Sequence, residues 1–90
     1  MKFGYYVTYG KAKEDFDTLE DGKKAWARFG EVLKSVDLEL VFWGVPFGVI
    51  GQGMCVMKGE VAGFEKIWNN PEIMSKFPLT DAHTTFVLVP

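Results

Sequence analysis

The chain has 90 residues, 48% of them hydrophobic, and a formal net charge of −2. That length supports one core and excludes a second domain, and the apolar content excludes a disordered tail. Ten Lys and Arg against twelve Asp and Glu leave no cationic excess for a phosphate backbone, so no nucleic-acid partner is expected. The aromatic load is heavy for the size, with eight Phe, three Tyr and three Trp. Either the core is very dense, or part of that surface faces a partner.

The first element is a strand over Lys2 to Tyr9, rich in aromatic and β-branched residues. Its alternation puts Phe3, Tyr5, Val7 and Tyr9 on one face, read as the helix-facing side, and Gly4, Tyr6 and Thr8 on the other. Gly10 through Asp17 is a polar loop. Its acids and those of the next turn are bracketed by Lys11, Lys13, Lys23 and Lys24, the pattern of a solvated surface. Thr18 is the expected N-cap of a first helix, with Asp21 near the positive end of the dipole. Leu19, Trp26, Phe29, Leu33 and Val36 form its apolar stripe. Gly22 and Gly30 interrupt the helix and are read as points of close approach to the sheet.

Leu38 to Val45 is a second strand, apolar on both faces, with Leu38, Leu40 and Phe42 opposite Val41, Trp43 and Val45. Pro46-Phe47-Gly48 turns the chain into a third strand over Val49 to Lys58. There, Gly51 and Gly53 leave shallow spots for a ligand, a bulge or a neighbouring side chain. Gly59-Glu60 opens a second helix with Val61, Phe64, Ile67 and Trp68 on its stripe. Asn70-Pro71 ends it and starts a short helix carrying Ile73, Met74 and Phe77. A fourth strand runs from about Ala82 to Val89, with Phe86 and Leu88 opposite His83, Thr85 and Val87.

The order β-α-β-β-α-β predicts an α+β, ferredoxin-like sandwich: one antiparallel sheet in the order 4-1-3-2 with both helices on one face. The helices cover one side only, yet the strands are apolar on both. The uncovered side, on the order of 300 Å² before side-chain relief, is large enough to imply a partner. A two-fold homodimer stacking the two open faces would bury it, with higher oligomers left open.

With this order, the aromatic first strand, the segments "FWGVPFGVIGQG" and "KGEVAGFEKIWNN" and the apolar last strand "AHTTFVLVP" make nearly the whole chain resemble the dimeric α+β barrel superfamily. That superfamily includes cofactor-independent monooxygenases resembling those of antibiotic biosynthesis, lactone isomerases, polyketide cyclases and YciI-like proteins. The resemblance implies a face-to-face dimer around a pocket for a small hydrophobic or aromatic molecule, with no cofactor. Which chemistry occurs there, if any, it does not imply.

His83 is the only histidine, and histidine is the side chain whose ordinary titration falls near neutral pH. Placed on the pocket face it would serve as a general acid or base, and Tyr6, on the neighbouring strand, would meet it there as a donor. Trp43 and Gln52 are the candidate ligand-lining residues. For each, the plainer reading is ordinary core or interface packing. No second His or Cys stands at ligand spacing, so no metal site is expected. The lone Cys55 reads as a small buried hydrophobe, and Arg28 as a solvent-facing residue with an anion anchor as the lesser reading. With no intramolecular disulfide, no apolar run of about 18 residues and no staged leader, a soluble cytoplasmic protein without a membrane partner is expected.

The same topology serves RNA-recognition domains, but their third strand carries stacking aromatics. The run Gly51-Gln52-Gly53-Met54-Cys55-Val56-Met57 has none. An acylphosphatase would need a glycine-rich loop with an arginine after the first strand, and Gly10-Lys11-Ala12-Lys13 does not supply it. Two functions remain: an isomerase, cyclase or cofactor-independent oxygenase using His83 and Tyr6, and a non-catalytic binding or assembly protein using the same interface.

Overall fold

A computed structural model describes residues 3–13, 18–46 and 53–89. The elements are β1 (Phe3–Ala12), α1 (Leu19–Lys34), β2 (Leu38–Gly44), β3 (Gly53–Glu60), α2 (Val61–Trp68), α3 (Pro71–Ser75) and β4 (Leu79–Leu88). The strands form one antiparallel sheet in the order β2-β3-β1-β4, which read from the other edge is 4-1-3-2. The fold is a small α+β domain compatible with the ferredoxin-like class, with a third, five-residue helix before the last strand. The turn at Phe47-Gly48, the start of the expected third strand, and Gln52 lie outside the described residues.

Local chemistry explains the helix ends. The Thr18 hydroxyl accepts from the Asp21 amide at 3.2 Å, which caps α1 as expected, and the Asn70 carboxamide oxygen accepts from the Glu72 and Ile73 amides ahead of Pro71. Trp26, Phe29 and Leu33 of α1 are buried against Leu38, Cys55, Met57 and Leu79 of the sheet, and Val36 joins that core from the turn after the helix. Leu19, expected on the stripe, is exposed because it occupies the first helical residue, beyond the sheet's reach. Trp68 is likewise half-exposed at the last residue of α2, where it meets Phe64 edge-on.

The close approach expected at Gly22 and Gly30 occurs elsewhere. A Cβ at Gly22 would meet nothing within 4 Å, and one at Gly30 would only touch Leu40, 3.7 Å away. The tight contact is at Gly63 of α2, where a Cβ would collide with the Val36 carbonyl. Gly30 is therefore a helix-interior glycine that packing does not require. Gly30→Ala will stabilise the protein by about 0.5 to 1 kcal/mol, read as a higher urea midpoint at unchanged slope; a loss of stability would contradict the packing described here.

Strand faces depart from the sequence reading in two places. Along β1 the buried residues are Gly4, Tyr6, Thr8 and Gly10, so this set faces the helices and the Phe3, Tyr5, Val7 and Tyr9 set faces outward, the reverse of the expectation. Along β2 the register shifts between Leu40 and Phe42, with Leu40 opposite Met57 and Phe42 opposite Val56. That bulge inserts Val41 as an extra residue and turns Trp43 to the helix side together with Leu38 and Leu40, leaving Phe42 outward.

Candidate functional site

Residues paired across antiparallel strands share a face, so the register assigns each candidate side chain. Tyr9 pairs with His83, Val7 with Thr85 and Tyr5 with Val87 across β1 and β4. Across β1 and β3, Tyr9 pairs with Met54, Val7 with Val56 and Tyr5 with Lys58. All of these belong to the outward face, which no helix of the described residues covers. Phe42, at 51% exposed, and Phe3, at 42%, extend the apolar surface on two sides. At one corner Lys58 and Glu39 form an ion pair of 3.1 Å, which raises the Lys58 pKa through its hydrogen bond to the Glu39 carboxylate. His83 lies toward the opposite end, next to the irregularity that shifts the register between Tyr9 and Lys11. The face is thus an apolar field with an imidazole and a phenol side by side.

Phe86 faces the helices, as its ring stacking on Tyr6 shows, and His83 lies on the open side. Tyr6 does not join it. Its ring is sandwiched between Phe64 of α2, with centroids 4.1 Å apart and planes 7° from parallel, and Phe86 of β4 at 4.9 Å. Its hydroxyl donates to the Gly59 carbonyl over a long 3.5 Å. Burial, with a smaller contribution from the Glu65 charge, holds the phenol neutral by raising its pKa. The expected meeting of Tyr6 and His83 in one cavity is corrected: the two lie on opposite faces of the sheet. The residue beside His83 is Tyr9.

Trp43 also lies on the helix side, stacked on Trp26 with centroids 5.9 Å apart and planes 12° from parallel. The pair borders a groove of about 450 Å³ between α1 and β2 whose apolar wall includes Gly30 and Leu40. Trp43 therefore lines a cavity, on the other side of the sheet from His83. Gln52 falls outside the described residues. Among those residues, no group of three or more His, Cys, Asp or Glu is placed to hold a metal.

Tyr9 was missed because aromatics occur at both parities of β1, at Tyr5 and Tyr9 as well as Tyr6. The usable signal was the small residues: Gly4, Thr8 and Gly10 share a side with Tyr6, the side crowded by neighbouring strands and helices.

Beneath the helices, the Thr8 hydroxyl bridges its neighbours, 2.8 Å from the Thr84 hydroxyl and hydrogen-bonded to the Cys55 thiol. Cys55 is fully buried, and burial outweighs the opposing Thr8 bond, pushing its pKa from 9.0 up to about 12. Such a thiol is no nucleophile at neutral pH. In the unfolded chain it ionises near its ordinary value, so above about pH 9 the unfolded state sheds a proton that the folded state keeps, and stability falls as pH rises. Urea unfolding should show a loss of about 1 kcal/mol between pH 8.5 and 10, and Cys55→Ala should flatten that slope. An equal slope in the variant would assign the loss to other groups.

No helix among the described residues is long and apolar enough to cross a membrane. No family model matches the chain, and no curated protein is significantly similar to it.

Proposed function

We propose that the chain works as a homodimer of the dimeric α+β barrel type, in which two copies stack their open sheet faces around a small hydrophobic or aromatic molecule. The observation that carries this reading is the open face itself. Val7, Val56 and Val87 give this face an apolar stretch flanked by Phe3 and Phe42, with the Tyr9-His83 pair, Thr85 and the Lys58-Glu39 ion pair as its polar features. Four strands at about 4.8 Å and about eight residues of length give about 500 Å² per copy before side-chain relief. Two such faces reach the roughly 1,000 Å² that a specific interface needs. A self-complementary surface of this kind closes under two-fold symmetry without leaving a free end.

Within that cavity His83 takes a proton from the bound molecule and returns it, and the Tyr9 hydroxyl hydrogen-bonds to the oxygen on which charge develops. Isomerisation and cyclisation need no more than this pair. Cofactor-independent oxygenation additionally needs dioxygen to combine with the carbanion. A second reading, a binding or assembly protein without chemistry, is favoured by the fact that an aromatic-lined groove, at Trp26 and Trp43, lies on the helix side, away from His83. Sedimentation equilibrium at micromolar concentration separates dimer from monomer, and a particle of 10.2 kDa would overturn the proposal. For the chemistry, His83→Ala should keep the dimer and abolish turnover of a substrate once found; unchanged turnover would leave the assembly reading.

A further inference from the structure

We infer that the cavity between the end of β1, α1 and α3 binds a small organic anion, a carboxylate or phosphate ester with a flat apolar body. The cavity holds about 240 Å³ and is lined by Arg28, Lys13 and Lys76 over Ala25, Phe77 and Pro78. Three of the ten basic residues of a chain with net charge −2, including its only arginine, meet here, and among the described residues none of the lining side chains is acidic. Converging cations repel each other at a cost that a bound anion reverses.

The site is built from fixed parts. The Lys13 amide donates to the Pro78 carbonyl at 3.3 Å, tying the strand end to the turn after α3, and the Lys13 ammonium donates to the Ser75 carbonyl at 3.0 Å. Lys76 lies 3.7 Å from Glu72 with both side chains exposed, a pair too weak to withhold its charge from a ligand. Arg28 projects from the middle of α1, three residues beyond the buried Ala25. Its planar fork is the group best suited to a two-oxygen contact with carboxylate or phosphate. Phe77, 4% exposed, and the buried Pro78 give a firm apolar floor. A cavity of about 240 Å³ lies just below the usual range for drug-sized ligands, so the body is a single ring or smaller.

The test is a titration of the ¹⁵N-labelled protein with phenyl phosphate, benzoate and inorganic phosphate, followed at the Arg28 Nε and the Ser75, Lys76 and Phe77 amides. Saturable shifts are expected with both organic anions. Arg28→Gln should weaken them at least about tenfold, while Lys34→Gln, elsewhere on α1, should leave them unchanged. Absence of saturation, or equal binding by Arg28→Gln with its spectrum intact, would overturn the site. Inorganic phosphate binding as well as phenyl phosphate would overturn the apolar part of the assignment. Binding only in a Glu14→Gln/Asp15→Asn variant would also overturn it, because the cations would then serve the acids that follow Lys13.

Discussion

Tyr6→Ala will destabilise the protein by about 3 to 5 kcal/mol, whereas Tyr6→Phe will cost less than about 1.5 kcal/mol. The asymmetry follows from where the ring sits. Between Phe64 and Phe86 it couples α2 to the central strand and to the edge strand β4, so truncation leaves a cavity with two aromatic faces unpartnered. The hydroxyl contributes one long hydrogen bond to the Gly59 carbonyl, and its removal leaves a carbonyl at the end of a strand. For a domain of this size the larger figure is a substantial share of the total, on the order of 5 to 15 kcal/mol. Urea unfolding of both variants checks it. A Tyr6→Phe variant as unstable as Tyr6→Ala would mean that the hydroxyl, and not the ring, holds the core.

Val7→Lys should leave the monomer folded and weaken the proposed dimer by at least about a hundredfold, or about 2.7 kcal/mol. Val7 stands on β1, an inner strand of the open face, with Val56 of β3 on one side and Thr85 of β4 on the other. A lysine there bends its stem along the surface in the monomer and keeps its charge in water. In a stacked pair, the same charge is driven into an apolar interface near its own symmetry mate, without a counter-ion. The outcome is read by sedimentation against circular dichroism. A variant that still dimerises with native affinity would place the interface elsewhere, and one that unfolds would show that the face belongs to the monomer's core.

Element order and the Thr18 cap were legible because they rest on local chemistry: a hydroxyl before an acidic turn, a proline after an asparagine, a stripe at helical spacing. Trp26, Phe29 and Leu33 follow the same logic. Strand faces were not legible to the same degree. In β1 the aromatics at Tyr5, Tyr6 and Tyr9 occupy both parities, so hydrophobicity alone does not say which side meets the helices. In β2 one extra residue at Val41 exchanges the faces of everything after it, and nothing in "LELVFWG" marks the insertion. Each error moved one candidate. The first carried Tyr6 away from His83 and put Tyr9 in its place; the second carried Trp43 beneath α1, onto Trp26. His83 lies on the open side because β4 pairs with β1 without a shift from Tyr9 and His83 to Gly4 and Leu88, which puts Phe86 on the side of Tyr6 and His83 on the other.

The aromatic load that marks this chain divides along those lines. Tyr6, Trp26, Phe29, Phe64 and Phe77 serve the monomer's own core, while Phe3, Tyr5, Tyr9 and Phe42 stand on the uncovered face. The central claim is that a second copy of the chain covers the latter group. An isotope-filtered NOE experiment on a mixture of labelled and unlabelled protein tests it directly. Face-to-face pairing requires intermolecular NOEs from the methyl groups of Val7, Val56 and Val87 to the rings of Phe42 or Tyr5. Intermolecular NOEs confined to the helix side, or none at concentrations where the wild type sediments as a monomer, would contradict it.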